Sequence, residues 1–178
     1  MNYCSECGSS ITLKVPSGED RQRHVCDDCG TIHYRNPNII AGTIPRWENS
    51  ILLCRRGIAP KLGLWTVPAG FLELGETVEE GAKRETREET RADVQLRTIH
   101  GIYSIPRMGQ VYMIYQADLL STDYGPTPES SEVRLFREDE IPWDEIAFKV
   151  VEQALRDYFA NLRQPQSLPF SEFKDPLA

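Results

Sequence analysis

The sequence predicts an α/β sandwich preceded by a small cysteine-stapled unit. Two observations carry this. Short apolar runs bounded by turn residues surround one capped central helix and lead to a second, terminal helix. Ahead of them, Cys4/Cys7 and Cys26/Cys29 form two C-x2-C pairs in a stretch too polar to build a core of its own.

Residues 1–35 read as one unit. A Gly follows the second Cys of each pair, which suits a tight knuckle whose backbone N–H groups point at sulfur. Paired C-x2-C motifs in a chain with no secretory signature read as four thiolates around structural Zn2+, and the metal supplies the folding energy. With four sulfurs filling a tetrahedral shell, His24 and His33 are expected to be surface or packing residues. Cys54, alone in Ile51-Leu52-Leu53-Cys54, reads as a small buried hydrophobe.

Asn36-Pro37-Asn38 marks the seam into the main domain, residues 36–162. Residues 39–44 and 51–54 read as a hairpin around Trp47-Glu48-Asn49-Ser50. The short run 64–67 follows a loop, and Thr77 with Glu80 forms a capping box that starts a helix over 77–90. Strands are expected at 94–105, 111–119 and 132–136. A final helix opens at Pro142 to Asp144 and runs to about Asn161. Residues 163–178 form a Pro-containing tail without periodicity.

Composition narrows the function. The 178 residues carry 20 Lys and Arg against 27 Asp and Glu, a formal charge of -7. Tracking a long phosphate backbone needs cations gathered on one face, so extended nucleic acid is disfavoured. A compact anionic ligand held by a few Arg residues or through a metal is not. The start of the chain has no basic-then-apolar leader and no run spans a bilayer, so a cytoplasmic, non-membrane protein is expected.

The central helix is acidic where it should be apolar. At about 100° per residue, Val78, Ala82, Glu85 and Glu89 fall on one side, with Glu88 at its edge. Carboxylates at these spacings repel one another and are costly to bury unpaired, and a hard divalent cation relieves both problems. The apolar segment before the helix places Gly70 where a backbone carbonyl can approach a metal.

Gly70, five residues, Glu76, seven residues, then Arg84-Glu85-Thr86-Arg87-Glu88-Glu89 resembles the signature of Nudix hydrolases over a layout of roughly residues 38–160. Thr86 stands at an aliphatic position of that signature. Arg91 stands at its Gly, which sets the chain against a left-handed turn there. The resemblance implies a Nudix-type α/β/α sandwich with a mixed sheet behind a zinc ribbon. It implies Glu85, Glu88 and Glu89 as ligands of Mg2+ or Mn2+ with the Gly70 carbonyl assisting, Arg84 orienting them, and Glu76 contributing from the loop–helix junction. The reaction implied is hydrolysis of a nucleoside diphosphate linked to another moiety.

A ribbon joined to such a domain resembles both the NADH pyrophosphatase group and a shorter ADP-ribose/FAD group. The S-Q-P-W-P-F-P-x-S stretch of the NADH group is absent from Gly101 to Gln110, and Pro106 resembles the ADP-ribose pattern. ADP-ribose or FAD is therefore the expected substrate. Trp47, Tyr103, Tyr112, Phe71, Arg55, Arg56 and Arg107 are candidates for holding it, and Arg56 is carried forward. Glu129 is the expected base, with Glu132 or a helix carboxylate as alternatives. Rival readings are an NADH pyrophosphatase, a nucleoside triphosphate or RNA-end pyrophosphohydrolase, and a non-enzymatic zinc-ribbon binding module. A ribbon used for dimerisation and a tail reaching a partner lead to the expectation of a homodimer.

Overall fold

The computed structural model describes residues 1–167 and Pro169; most of the expected tail lies outside the described residues. The chain divides into two compact units, Met1–Asn36 and Pro37 onward.

The first unit is a three-stranded antiparallel sheet of β1 (Ile11–Lys14), β2 (Arg23–Cys26) and β3 (Ile32–His33), in that order. Its two knuckles repeat one geometry. Cys4 N–H donates to Ser9 O and Gly8 N–H to Cys4 O; Cys26 N–H donates to Thr31 O and Gly30 N–H to Cys26 O. Gly8 and Gly30 sit at φ 78° and 74°, the left-handed conformation that closes such a turn at no steric cost.

The second unit is built on β4 (Asn38–Trp47), β5 (Ser50–Arg56), β8 (Val94–Ile105), β9 (Gln110–Leu119) and β10 (Ser130–Phe136). They lie in the order β10-β5-β4-β9-β8, with β4 and β9 parallel and the other pairs antiparallel, so the sheet is mixed. Side chains alternate across it. Ile40, Ile44 and Ile114 pack with Val150, Val151, Ala154, Leu155, Tyr158 and Phe159 of α2 (Lys149–Arg163). Their neighbours Ala41 and Tyr115 pack with Ala82 of α1 (Val78–Thr90) on the opposite face. Helices therefore cover both faces of one sheet. No helix among the described residues is long and apolar enough to cross a membrane.

β4 and β5 pair only beside their turn, at Arg46–Ile51 and Trp47–Ser50, and then diverge. Into the fork run β6 (Trp65–Thr66), which pairs with β5, and β7 (Ala69–Phe71), which pairs with β4. The segment around Gly70 is thus a strand seated in the sheet. Thr43 N–H donates to Pro68 O at 3.1 Å and Leu72 N–H to Ile39 O at 3.0 Å, which anchor it further.

Two local expectations are corrected. Residues 143–145 form a single 3-10 turn, and α2 begins only at Lys149. Ile146 bridges to Trp65, and Ala147 N–H donates to Trp65 O at 2.8 Å, so tertiary pairing holds the chain extended before the helix restarts. Arg91 adopts the left-handed turn despite its side chain, at φ 62°, and its N–H donates to Arg87 O at 2.8 Å. Closing the helix end outweighs the steric cost of a Cβ in that conformation.

Candidate functional site

α1 is started by its capping box: Thr77 Oγ1 accepts from Glu80 N–H, and Glu80 Oε2 accepts from Thr77 N–H. It lies over the fork, so its inward face meets β4 and β7, and Glu89 near its end reaches Cys54 on β5. Thr86, which stands where the signature carries an aliphatic residue, is fully buried. Its hydroxyl donates to Ala82 O at 2.7 Å and lies 2.7 Å from Thr43 Oγ1 on β4. This pair locks the helix to the sheet one residue from Glu85.

The acidic residues of α1 occupy different environments. Glu89 is 7% exposed; its Oε2 accepts from Ala69 N–H at 3.1 Å and from the Cys54 thiol at 3.7 Å. Burial pushes its carboxyl up to about 7, against the pull of the Ala69 amide. Glu85 is also raised by burial, opposed by Arg84. Its carboxylate fills the space beside Gly70 that a Cβ would occupy, so any larger residue there would have to displace the Glu85 carboxylate. The Glu88 side chain is 57% exposed at the rim.

Arg84 is the hub. Its Nε and Nη2 donate to the two oxygens of Glu76 at 2.9 and 2.7 Å, Nη1 donates to Glu85 and Glu88 at 2.7 and 2.9 Å, and Nη2 also donates to Phe71 O at 3.1 Å. Its hydrogen bonds, with one from Glu73 N–H, hold Glu76 down at about 2. Glu76 is thereby an ionised counter-charge that orients the guanidinium toward the other carboxylates.

Around this cluster lie cations and a further carboxylate. Arg56 lies over the Phe148 ring at 5.3 Å and donates to Pro60 O at 2.7 Å, and its charge is felt at Glu89 and Tyr112. Glu129 sits on an exposed turn tied down by Gly57 N–H donating to Glu129 O at 2.7 Å and by Thr127 Oγ1 donating to Glu89 O at 3.5 Å. Its charge opposes ionisation of Glu85, which places the two carboxylates within electrostatic reach. Glu132 points instead to Arg55, 3.6 Å away. Tyr103 is buried in the core and donates to Asp157 Oδ2 at 3.1 Å. Phe71 remains exposed beside the cluster. Cys54 is buried as expected, but its contact with Glu89 was not legible, because that pairing joins residues 35 positions apart across the fork.

The oxygens of Glu85, Glu88 and Glu89, with the Gly70 backbone alongside, are a donor set that fits a hard divalent cation. Among the described residues, however, the cluster of three or more ligand atoms within 4.8 Å of one another is Cys4, Cys7, Cys26 and Cys29. The helix carboxylates are held by Arg84 and the Ala69 amide rather than gathered to a point.

In the cysteine unit, Cys4 Sγ lies 3.6 Å from Cys29 Sγ and Cys7 Sγ 3.5 Å from Cys26 Sγ, too far for a disulfide; all are free. Glu6 N–H and Cys29 N–H donate to Cys4 and Cys26 sulfurs, and His33 Nε2 lies 3.3 Å from Cys4 Sγ. Four sulfurs with donors behind them fit a tetrahedral metal site of the kind zinc takes, and His33 supports it without being a ligand.

Comparison with known proteins agrees with both halves. The family described as Nudix N-terminal matches residues 2–35, and that described as NUDIX domain matches residues 37–158. The chain is 33% identical over 167 residues to the NAD-capped RNA hydrolase NudC of Vibrio atlanticus, covering 88% of this chain and 58% of that protein. It is 30% identical over 129 residues to an ADP-ribose pyrophosphatase of Methanocaldococcus jannaschii, covering 70% of this chain and 75% of that one. The chain thus spans little more than half the length of the Vibrio relative. A NUDIX hydrolase crystal structure from Nitrosomonas europaea superposes with a TM-score of 0.92 at 48% identity, covering 96% of this chain and 97% of that chain.

Proposed function

The chain belongs to the Nudix hydrolase family, and from that premise we propose that it hydrolyses the diphosphate bond of ADP-ribose or FAD, releasing AMP. The observation that carries this is the Arg84 hub, which holds Glu76, Glu85 and Glu88 around one guanidinium while Gly70 leaves room for the Glu85 carboxylate. A scaffold without chemistry has no use for inward carboxylates organised in this way.

In this reading Glu85, Glu88, Glu89 and the Gly70 carbonyl hold Mg2+ or Mn2+, which supplies charge neutralisation and polarisation of the diphosphate. Arg84 keeps the carboxylates in place without itself meeting substrate. Arg56, anchored on Phe148 and Pro60 O and near enough for its charge to act on Glu89, binds a diphosphate oxygen. Glu129 takes a proton from the attacking water. A new bond forms from water oxygen to phosphorus and the bridging P–O bond breaks. The products are AMP with ribose 5-phosphate, or AMP with FMN. Zn2+ in the four-thiolate unit is structural, and the active form is a homodimer.

A second reading has one observation in its favour. The resemblance to the NAD-capped RNA hydrolase runs through both units, whereas the archaeal ADP-ribose pyrophosphatase matches 70% of the chain. NAD contains the same diphosphate linkage. Against an RNA grip, Lys14 is paired with Asp27, Arg23 with Glu19 and Arg21 with Asp20 in the cysteine unit.

Product analysis decides between them. ADP-ribose, FAD, NADH, NAD-capped RNA, a diadenosine polyphosphate and a nucleoside triphosphate are offered in parallel with Mg2+ or Mn2+. Highest kcat/KM on ADP-ribose or FAD, with AMP as product, supports the proposal; dominant cleavage of NADH or capped RNA replaces it with the second reading.

A further inference from the structure

Cys54 lies on β5, facing α1, with its sulfur 3.7 Å from Glu89 Oε2 and 3.6 Å from Thr66 O. It is 1% exposed, and its single proton has two acceptors within reach, Glu89 Oε2 and Thr66 O. Packing alone does not require a donor here: Leu52 and Leu53 beside it are equally buried, and an aliphatic side chain would fill the strand position as well. An aliphatic group would, however, set apolar atoms against the carboxylate. Both donors that reach Glu89, the Cys54 thiol and the Ala69 amide, are directed at the same oxygen. They arrive from the two sides of the fork, one from β5 and one from β7. Oε1 is the oxygen left for a cation.

We propose that Cys54 is a positioning residue for the carboxylate site: its buried thiol and the Ala69 amide together fix the orientation in which Glu89 presents its other oxygen to a divalent cation. The inference rests on reading Glu89 as a cation ligand. Second-layer donors of this sort act by removing rotamers in which the ligand oxygen points away, and their loss typically lowers metal affinity by about tenfold or more. A serine hydroxyl is a stronger donor than a thiol but sits on a shorter bond, so from this position it reaches Oε2 less well and restores only part of the effect.

Two measurements on the full, zinc-loaded chain test this. In that form four of the five cysteines are thiolates, so the infrared S–H stretching band belongs to Cys54 alone. The band is expected at a lower frequency in the wild type than in Glu89→Gln, where a weaker acceptor replaces the carboxylate. Mn2+ titration followed by electron paramagnetic resonance is expected to show affinity about tenfold weaker in Cys54→Ala. Partial recovery in Cys54→Ser, and no further loss when Cys54→Ala is added to Glu89→Gln, complete the expected pattern. An S–H band indifferent to Glu89→Gln overturns the proposal without any change at Cys54. Mn2+ affinity lowered by Glu89→Gln but unchanged by Cys54→Ala overturns it while sparing the site. Wild-type affinity in Glu89→Gln overturns both the role of Cys54 and the reading of Glu89 on which it rests.

Discussion

Arg84 grips Glu76 through two parallel hydrogen bonds, Nε to Oε2 at 2.9 Å and Nη2 to Oε1 at 2.7 Å, across eight residues and the start of a helix. The fork leaves Nη1 aimed at Glu85 and Glu88. A lysine keeps the charge but loses the planar geometry that serves three carboxylates at once. Arg84→Lys is expected to lower kcat about a hundredfold, through misplacement of the carboxylates. It is also expected to cost about 2 kcal/mol of stability. Steady-state rates and urea denaturation measure the two effects.

The Thr43–Thr86 pair makes a directional prediction. Thr86 gives its proton to Ala82 O, so Thr43 is the donor between the hydroxyls. Thr86→Val strands that donor in the core and is expected to cost about 1–3 kcal/mol. Thr43→Val leaves Thr86 with its bond to Ala82 and costs less. The double variant is expected to be more stable than Thr86→Val alone, a difference visible in urea midpoints at constant m-value.

Arg91 ends α1 in the left-handed conformation that glycine adopts more readily. Arg91→Gly is expected to stabilise the protein by up to about 1 kcal/mol, since strain relief exceeds the added entropy of the unfolded chain. Turnover should stay unchanged. Differential scanning calorimetry with parallel rate measurements checks both.

Burial raises Glu89 from the ordinary carboxylate range to about 7. In protein free of Mg2+ and Mn2+ but loaded with zinc, the folded state keeps the proton after the unfolded state has released it. The stability linked to Glu89 is therefore full below about pH 4.5, declines as pH rises toward 7, and is flat above. Glu89→Gln is expected to remove that decline and raise Tm at neutral pH. Cation binding near pH 6 should release a proton, seen as a buffer-dependent heat in titration calorimetry.

Much of this arrangement is legible in the sequence wherever the signal is local. Thr77 and Glu80 mark the start of α1 because a capping box is complete within four residues, and paired cysteines mark the metal unit by spacing. The Gly70-to-Glu89 pattern is long enough to point to a family. What stays hidden depends on distant pairing. The strands Trp65–Thr66 and Ala69–Phe71 are too short to show alternation and exist through β5 and β4. The delayed start of α2 follows from Trp65, and the roles of Thr86 and Cys54 follow from partners 43 and 35 positions away in sequence, Thr43 on β4 and Glu89 on α1.

Whether the carboxylates of α1 serve hydrolysis through a bound cation is read from AMP release from ADP-ribose, followed against Mg2+ and Mn2+ concentration for the wild type and Glu89→Gln. Release is expected to be negligible without added divalent cation, to saturate with it, and to fall at least a hundredfold in the variant. Equal release by the two proteins, or release that persists after the cation is removed, would show that Glu89 and a divalent cation are not needed for the reaction.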